Sequence, residues 1–256
     1  MKRILTALVL GPLSIYVVLW GPNWSFFAVL AAVALLCFRE YSGIVAAYGI
    51  ERPGPVAYAA GLLLLAWPHD AALPLTLIAL GALCLNFTTV DFAKGLPRAA
   101  AFVLGVIYIF AAWRTAVFLR AQNAHWLMFA LAVNWLGDSA AYYIGRKLGR
   151  HKLAPRISPG KSWEGSVASL AVSVGFAVLY LTRAIPAVSV LQAASLGVAA
   201  NVAGQIGDLA ESALKRGAGV KDSGNMLPGH GGWLDRVDSI LFALPVVYAL
   251  LASMGF

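Results

Sequence analysis

Charge is what this chain has least of. Only 12% of its 256 residues are Asp, Glu, Lys or Arg, while 61% are apolar; soluble domains carry roughly 25% and 45–50%. That shortage excludes an ordinary soluble globule. Cysteine is limited to Cys37 and Cys84, both in apolar runs and without pairing or ligand spacing. A disulfide scaffold and a zinc motif are therefore excluded, and two buried thiols are expected. No Gly-x-x-x-x-Gly-Lys-Ser/Thr loop occurs, which argues against a soluble-type NTPase. Internal repeats and low-complexity segments are also missing.

What remains is a succession of apolar runs, many long enough to cross the roughly 30 Å hydrocarbon layer. They predict an all-α, polytopic helical membrane protein with about nine transmembrane helices, roughly at 4–20, 24–40, 55–68, 72–90, 99–119, 125–145, 164–181, 187–206 and 239–255. The third run is short against the usual span of about 20 residues, so eight spans remain open. Lys2 and Arg3 before an apolar core resemble a signal peptide, but no small-x-small site follows before Trp20, and a retained helix is expected. We read residues 1–256 as a single integral membrane domain, with 1–120 mainly scaffold helices and 134–240 carrying the catalytic motifs.

Basic residues fall on one side of that arrangement. With nine spans, Lys2, Arg3, Arg39, Arg52, Lys94, Arg98, the six cations from Arg146 to Lys161, and Lys215, Lys221, Arg216 and Arg236 share a face. Only Arg114, Arg120 and Arg183 lie elsewhere, and Asp70 is the one acidic residue near the opposite face. Such asymmetry places the N-terminus and the polar loops in the cytoplasm. For Arg114, snorkelling toward the outer face is expected rather than a functional pairing. The net charge of +8 fits topology signals and anionic lipid headgroups. Nucleic acid is not an expected partner, because no basic segment belongs to a soluble reading surface.

Polar residues cluster from Asn134 onward. Asn134, Asp138 and Tyr142 recur every fourth residue and share a helix face that Arg146 extends. A carboxylate at such depth is costly unless paired or wetted, which makes Asp138 a functional candidate; an interhelical clamp is the structural alternative, and weighs more for Asn134. Asn201, Gln205, Asp208, Ser212 and Lys215 form a second stripe, with Glu211 beside it. The connection Gly145–Gly165 holds six cations and the run Ser158-Pro-Gly-Lys161-Ser162-Trp163-Glu164. Its hydroxyls and Lys161 can grip phosphate oxygens, although a basic juxtamembrane loop can also serve topology alone, and Trp163 reads as an interface anchor.

The densest chemistry lies in Ser212–Asp238, where 27 residues hold four cations, three aspartates, His230 and six glycines. Asp235 and Asp238 stand one helical turn apart, and Asp208 can complete an oxygen cage for Mg²⁺, with Mn²⁺ an allowed substitute. Pro228-Gly-His230-Gly-Gly can bring backbone amides close to phosphate.

These motifs carry a resemblance. Ser212-Ala-Leu-Lys215-Arg216, Lys221-Asp222, Pro228-Gly-His230-Gly-Gly and Asp235-Arg236-Val-Asp238 closely resemble the signature of phosphatidate cytidylyltransferases, the CDP-diacylglycerol synthases. Asn134…Asp138…Gly145-Arg146 and Ile157-Ser158-Pro159…Lys161-Ser162-Trp163-Glu164-Gly165 look like a second motif of that family, so the resemblance covers about 134–240. Trp233 replaces a usual aliphatic residue or Phe, and Gly160 replaces a common second lysine. The resemblance implies condensation of CTP with phosphatidic acid to CDP-diacylglycerol and pyrophosphate. It implies Asp208, Asp235 and Asp238 around a metal, and phosphate contacts from Lys215, Arg216, Lys221 and Arg236. Asp222 and His230 join that catalytic set, His230 as phosphate donor or loop organiser rather than base. Asn134, Asp138, Arg146, Ser158, Lys161, Ser162, Glu164, Glu211 and Ser212 form the expected substrate-binding set. A homodimer in a bacterial inner membrane is likewise implied.

Two other classes stay open on the residues alone. A CTP-dependent polyprenol or phytol kinase needs the same metal and cations. An anion transporter would use intramembrane Asp and Asn, but it leaves unexplained why charges crowd one face. The Asp-Gly-x-x-Ala-Arg motif of CDP-alcohol phosphotransferases is absent.

Overall fold

The computed structural model describes residues 2–88, 91–226 and 231–256. His230, with Pro228 and Gly229, lies outside the described residues. Apart from one two-stranded hairpin, the regular elements described are helical. In chain order they are α1 (Lys2–Leu19), α2 (Asn23–Ala47), α3 (Pro55–Ala66), α4 (Ala72–Cys84), α5 (Gly95–Gly105), α6 (Ala112–Gln122), α7 (Ala124–Leu148), β1 (Lys152–Ala154), β2 (Ser158–Ser162), α8 (Trp163–Ala184), α9 (Val190–Gly217) and α10 (Leu234–Ser253). A π-helical turn, Val106–Ala111, joins α5 to α6 without a break.

Each apolar run of the sequence contains helix, although the run at 72–90 is α-helical only as far as Cys84 and that at 187–206 belongs to a helix running from Val190 to Gly217. Among the described residues, four helical stretches are long and apolar enough to cross a membrane: Asn23–Ala47, Phe92–Gln122, Trp163–Ala184 and Leu234–Ser253. Pro55–Ala66 and Ala72–Cys84 are apolar but shorter. Helices α7 and α9 have ample length, yet they bear the Asn, Gln and Asp stripes, which lower their apolarity.

The chain forms two compact units. One is built chiefly from Asn23–Arg114 and Leu214–Arg236, the other from Ile4–Pro22, Thr115–Ala213 and Val237–Phe256. In the first, Phe38, Tyr41 and Phe110 are fully buried, and Phe38 sets its edge against Tyr58 with centroids 4.8 Å apart. Glycines let backbones approach these rings, as small residues do between membrane helices. A Cβ at Gly61 would collide with the Phe110 ring, and one at Gly105 with Tyr41. The Tyr41 hydroxyl donates to the Ala101 carbonyl at 2.9 Å. Arg114 donates to the carbonyls of Trp67, at 3.1 Å, and His69. Its guanidinium thus closes the end of α3 and has a backbone partner.

In the second unit α7 packs along α8 through Gly137, where a Cβ would lie 2.7 Å from Ser169 Oγ and 2.9 Å from Ser173 Oγ. Arg120 donates to the carbonyls of Val18, at 2.9 Å, and Gly21, satisfying the end of α1. The connection after α7 is an antiparallel hairpin pairing Lys152 with Ser162 and Ala154 with Ser158. One expectation fails: Cys37 is buried, but Cys84 is exposed. It shares an outward face of α4 with Leu73, Leu77 and Leu80, so its apolar surroundings in sequence are not a packed interior.

Replacing Gly61 by Leu should overpack this site and cost about 1–3 kcal/mol. Gly43→Ala, where a Cβ meets nothing within 4 Å, should be neutral or stabilising. Thermal unfolding of the detergent-solubilised protein compares the two.

Candidate active site

Local geometry fixes the C-terminal hairpin around Asp235. Helix α9 ends at Gly217, and Gly219, at φ +72°, turns the chain back. The Asp235 carboxylate, in the first turn of α10, accepts from Ser223 N at 3.0 Å and Gly232 N at 2.8 Å. Lys215 Nζ closes an ion pair with Asp235 Oδ1. Side-chain exposures of 9% and 7% make this a buried pair. Gly231 has φ +77°, and a Cβ there would stand 2.7 Å from Asp235 Oδ2. Glycine is thus required twice over, by conformation and by proximity.

Exposed groups surround that anchor. Arg216, Lys221, Asp222 and Arg236 all reach solvent, and Arg216 Nη1 donates to the Val220 carbonyl at 3.2 Å. The arrangement therefore separates one cation held by a carboxylate from three presented outward, as binding of a polyanion requires.

A second cluster lies in the other unit. Lys161 Nζ stands 2.6 Å from Asp208 Oδ2, and Ser212 Oγ donates to Asp208 Oδ1 at 3.3 Å. Helices α9 and α10 approach closely beside Asp208: a Cβ at Gly207 would lie 2.8 Å from the Asp238 carbonyl oxygen. Asp238 is 8% exposed, and its Oδ1 accepts from Ser239 N at 2.7 Å. Glu211 is buried. Among the described residues, no group of three or more His, Cys, Asp or Glu gathers in a form that could hold a metal ion.

Several expected substrate contacts have local structural partners. Ser162 is 5% exposed and caps α8, its hydroxyl accepting from Gly165 N at 3.2 Å. Glu164 binds His151, with Nδ1 to Oε1 at 2.7 Å. Asn134 donates to the Ala130 carbonyl at 2.8 Å within its own helix. Asn201 donates to Ser169 Oγ at 2.8 Å and Ser173 Oγ at 2.9 Å, and accepts from Gln205 Nε2 at 2.6 Å. That stripe is an interhelical clamp of α8 and α9, and it accounts for the polar pattern there. Asp138 and Arg146 are exposed, Arg146 Nη1 donating to Tyr142 at 3.2 Å. Ser158 is half-buried in β2.

Residues 1–254 match the family model described as the cytidylyltransferase family. The chain belongs to that family. It is 37% identical to a Pseudomonas aeruginosa protein named phosphatidate cytidylyltransferase, over 99% of this chain and 97% of that one. It is 35% identical to a Staphylococcus saprophyticus protein of the same name, over 87% and 88%. A Staphylococcus haemolyticus protein, also so named, is 34% identical over 98% and 99%. This cytidylyltransferase-family chain is thus an enzyme whose family kinship runs its whole length, including the half where the sequence offered only hydrophobicity.

In that half lies the residue sequence reasoning missed. Glu40, near the middle of α2's second half, is 6% exposed. Its Oε2 accepts from Ser223 Oγ and Leu234 N, each at 2.9 Å. A lone Glu beside Arg39 at the end of an apolar run reads as a span boundary, so only its burial could have singled it out.

Lys215→Met leaves the Asp235 charge buried and should destabilise the protein by about 3–5 kcal/mol. Adding Asp235→Asn should recover part of that loss. Denaturant unfolding of the single and double variants in detergent measures it.

Proposed function

We propose that this chain is a phosphatidate cytidylyltransferase, joining CTP and phosphatidate to give CDP-diacylglycerol and pyrophosphate. The observation that carries the reading is the hairpin anchored by Lys215 and Asp235, in an enzyme whose relatives bear that name. A phosphate oxygen of phosphatidate forms a bond to the α-phosphorus of CTP. The bond to the bridging oxygen breaks, and pyrophosphate leaves with that electron pair. The second pKa of a phosphomonoester is about 6, so the nucleophile is already an anion at neutral pH and needs no strong base. Repulsion between it and the triphosphate is the barrier, and positioning with charge neutralisation lowers it.

Arg216, Lys221 and Arg236 supply outward positive charge for the phosphates, with Lys215 holding Asp235 in place. Asp222 and His230 complete the catalytic set. Asp208, Asp235 and Asp238 would hold Mg²⁺, or Mn²⁺ in its stead. Donor chemistry supports that fit: Asp208 and Asp235 each hold an ammonium group, and Mg²⁺ uses only about one or two protein carboxylates, with water and phosphates filling the rest. When bound, such an ion neutralises and orients phosphate oxygens. Ser158, Lys161, Glu164, Asp138, Arg146, Ser212 and Glu211 remain the substrate-side set. Ser162 and Asn134 act there through the helix positions they fix.

The reading extends to nine spans in a single integral domain and to a homodimer, with the N-terminus and active site on the cytoplasmic side of a bacterial inner membrane. The weight of Lys and Arg on one face supports that orientation.

Purified protein in detergent with phosphatidic acid, CTP and Mg²⁺ should release pyrophosphate and CDP-lipid in equal amounts. EDTA or Asp235→Asn should reduce the rate at least a hundredfold. CDP with a phosphorylated lipid alcohol as products would make the enzyme a kinase instead. Orientation has its own check. In a Cys84→Ser background, Gly160→Cys, at an exposed position of β2 with nothing within 4 Å of an added Cβ, should react with a membrane-impermeant maleimide in inside-out vesicles and not in intact cells.

A further inference from the structure

Glu40 stands beside Arg39 at the end of the apolar run of α2, buried to 6% exposure. A carboxylate so placed is costly without partners, and its partners lie 183 and 194 residues away in the chain. Ser223 Oγ and Leu234 N both donate to the same atom, Oε2, at 2.9 Å. Those two donors sit at opposite ends of the segment 223–234. The fit is close on both sides: a Cβ at Gly224 would lie 2.6 Å from Glu40 Oε1, and one at Gly232 would strike Oε2. Oε1 has no hydrogen-bond partner among the described residues. Ser223 in turn donates its N–H to Asp235, and its Oγ accepts from Asp235 N at 3.3 Å.

We propose that Glu40 is a positioning residue that holds Ser223 and Leu234 on one oxygen, and so sets the spacing between Lys221-Asp222 on one side and Asp235-Arg236 on the other. Glu40 touches no phosphate itself. It acts through Ser223 and Leu234, fixing the hairpin in which Asp235 receives its donors. A loosened clamp leaves the cations in place along the chain but scatters them in space, so nucleotide capture suffers first. This role rests on the cytidylyltransferase reading for its kinetic consequence, though not for the clamp.

Hydrogen–deuterium exchange and steady-state kinetics on the full-length protein in detergent test it together, using Glu40→Ala, Glu40→Gln, Ser223→Ala and Glu40→Ala/Ser223→Ala. Exchange should rise in peptides covering 220–236 for Glu40→Ala while peptides from α3 to α5 stay as in the wild type. The KM for CTP should increase on the order of tenfold or more, as loss of hydrogen bonds to a charged group warrants, with a smaller change in kcat. Glu40→Gln, which keeps an acceptor oxygen, should recover part of both effects. Ser223→Ala should add little in the Glu40→Ala background, because the two residues act as one unit. Unchanged exchange in 220–236, exchange rising equally throughout Asn23–Arg114, or fully additive effects of the two substitutions would each overturn the clamp. A wild-type protein that turns over no CTP would defeat the function proposed above, and the exchange measurements would still decide the clamp.

Discussion

An apolar chain must find internal partners for the few polar groups it buries, since neither lipid nor a packed core supplies them. That constraint governs this protein from end to end. Arg114 and Arg120 turn to backbone carbonyls at helix ends, where acceptors are left over by the helix itself. Asn201, Gln205, Ser169 and Ser173 satisfy one another between α8 and α9. Lys215 and Asp235 neutralise each other, and Glu40 draws two donors from a loop. Each arrangement consumes a polar group for architecture. Within the C-terminal hairpin, Arg216, Lys221 and Arg236 stay exposed.

Glycine makes such pairing sterically feasible. Gly231 takes a left-handed conformation directly against Asp235, while Gly224 and Gly232 admit the Glu40 carboxylate between them. Hence the glycine content of the hairpin reflects more than flexibility. Three of its glycines stand where a side chain would displace a carboxylate from its donors.

The sequence was most informative where periodicity speaks directly. Long apolar runs became helical, and the Asn201–Gln205 stripe did fall on a packed face, whereas in the Asn134 stripe only Asn134 is buried and Asp138, Tyr142 and Arg146 are exposed. Asp235 and Lys215 could be singled out from motif and spacing, although their mutual pairing depends on a turn at Gly219 that no periodicity encodes. The hairpin β1–β2 was hidden because strands of three and five residues rich in Lys, Pro and Gly carry no alternating pattern. Ser162 looked like a phosphate contact, since an N-cap and a ligand hydroxyl are chemically the same group until burial is known. Glu40 was illegible for a different reason. Its meaning lies in contacts spanning most of the chain, whereas sequence patterns report neighbours within a few turns.

That span has a temporal side. A ribosome releases α2 long before it makes Ser223 and Leu234, so the growing chain must carry Glu40 within an apolar helix while its two partners do not yet exist. Domains form in the order of synthesis where their contacts are local. This site is the opposite case, because its early half waits for its last fifth. Both contacts to Glu40 can therefore form only when translation is almost complete, and a chain truncated before Leu234 lacks α10 and the second donor to that carboxylate.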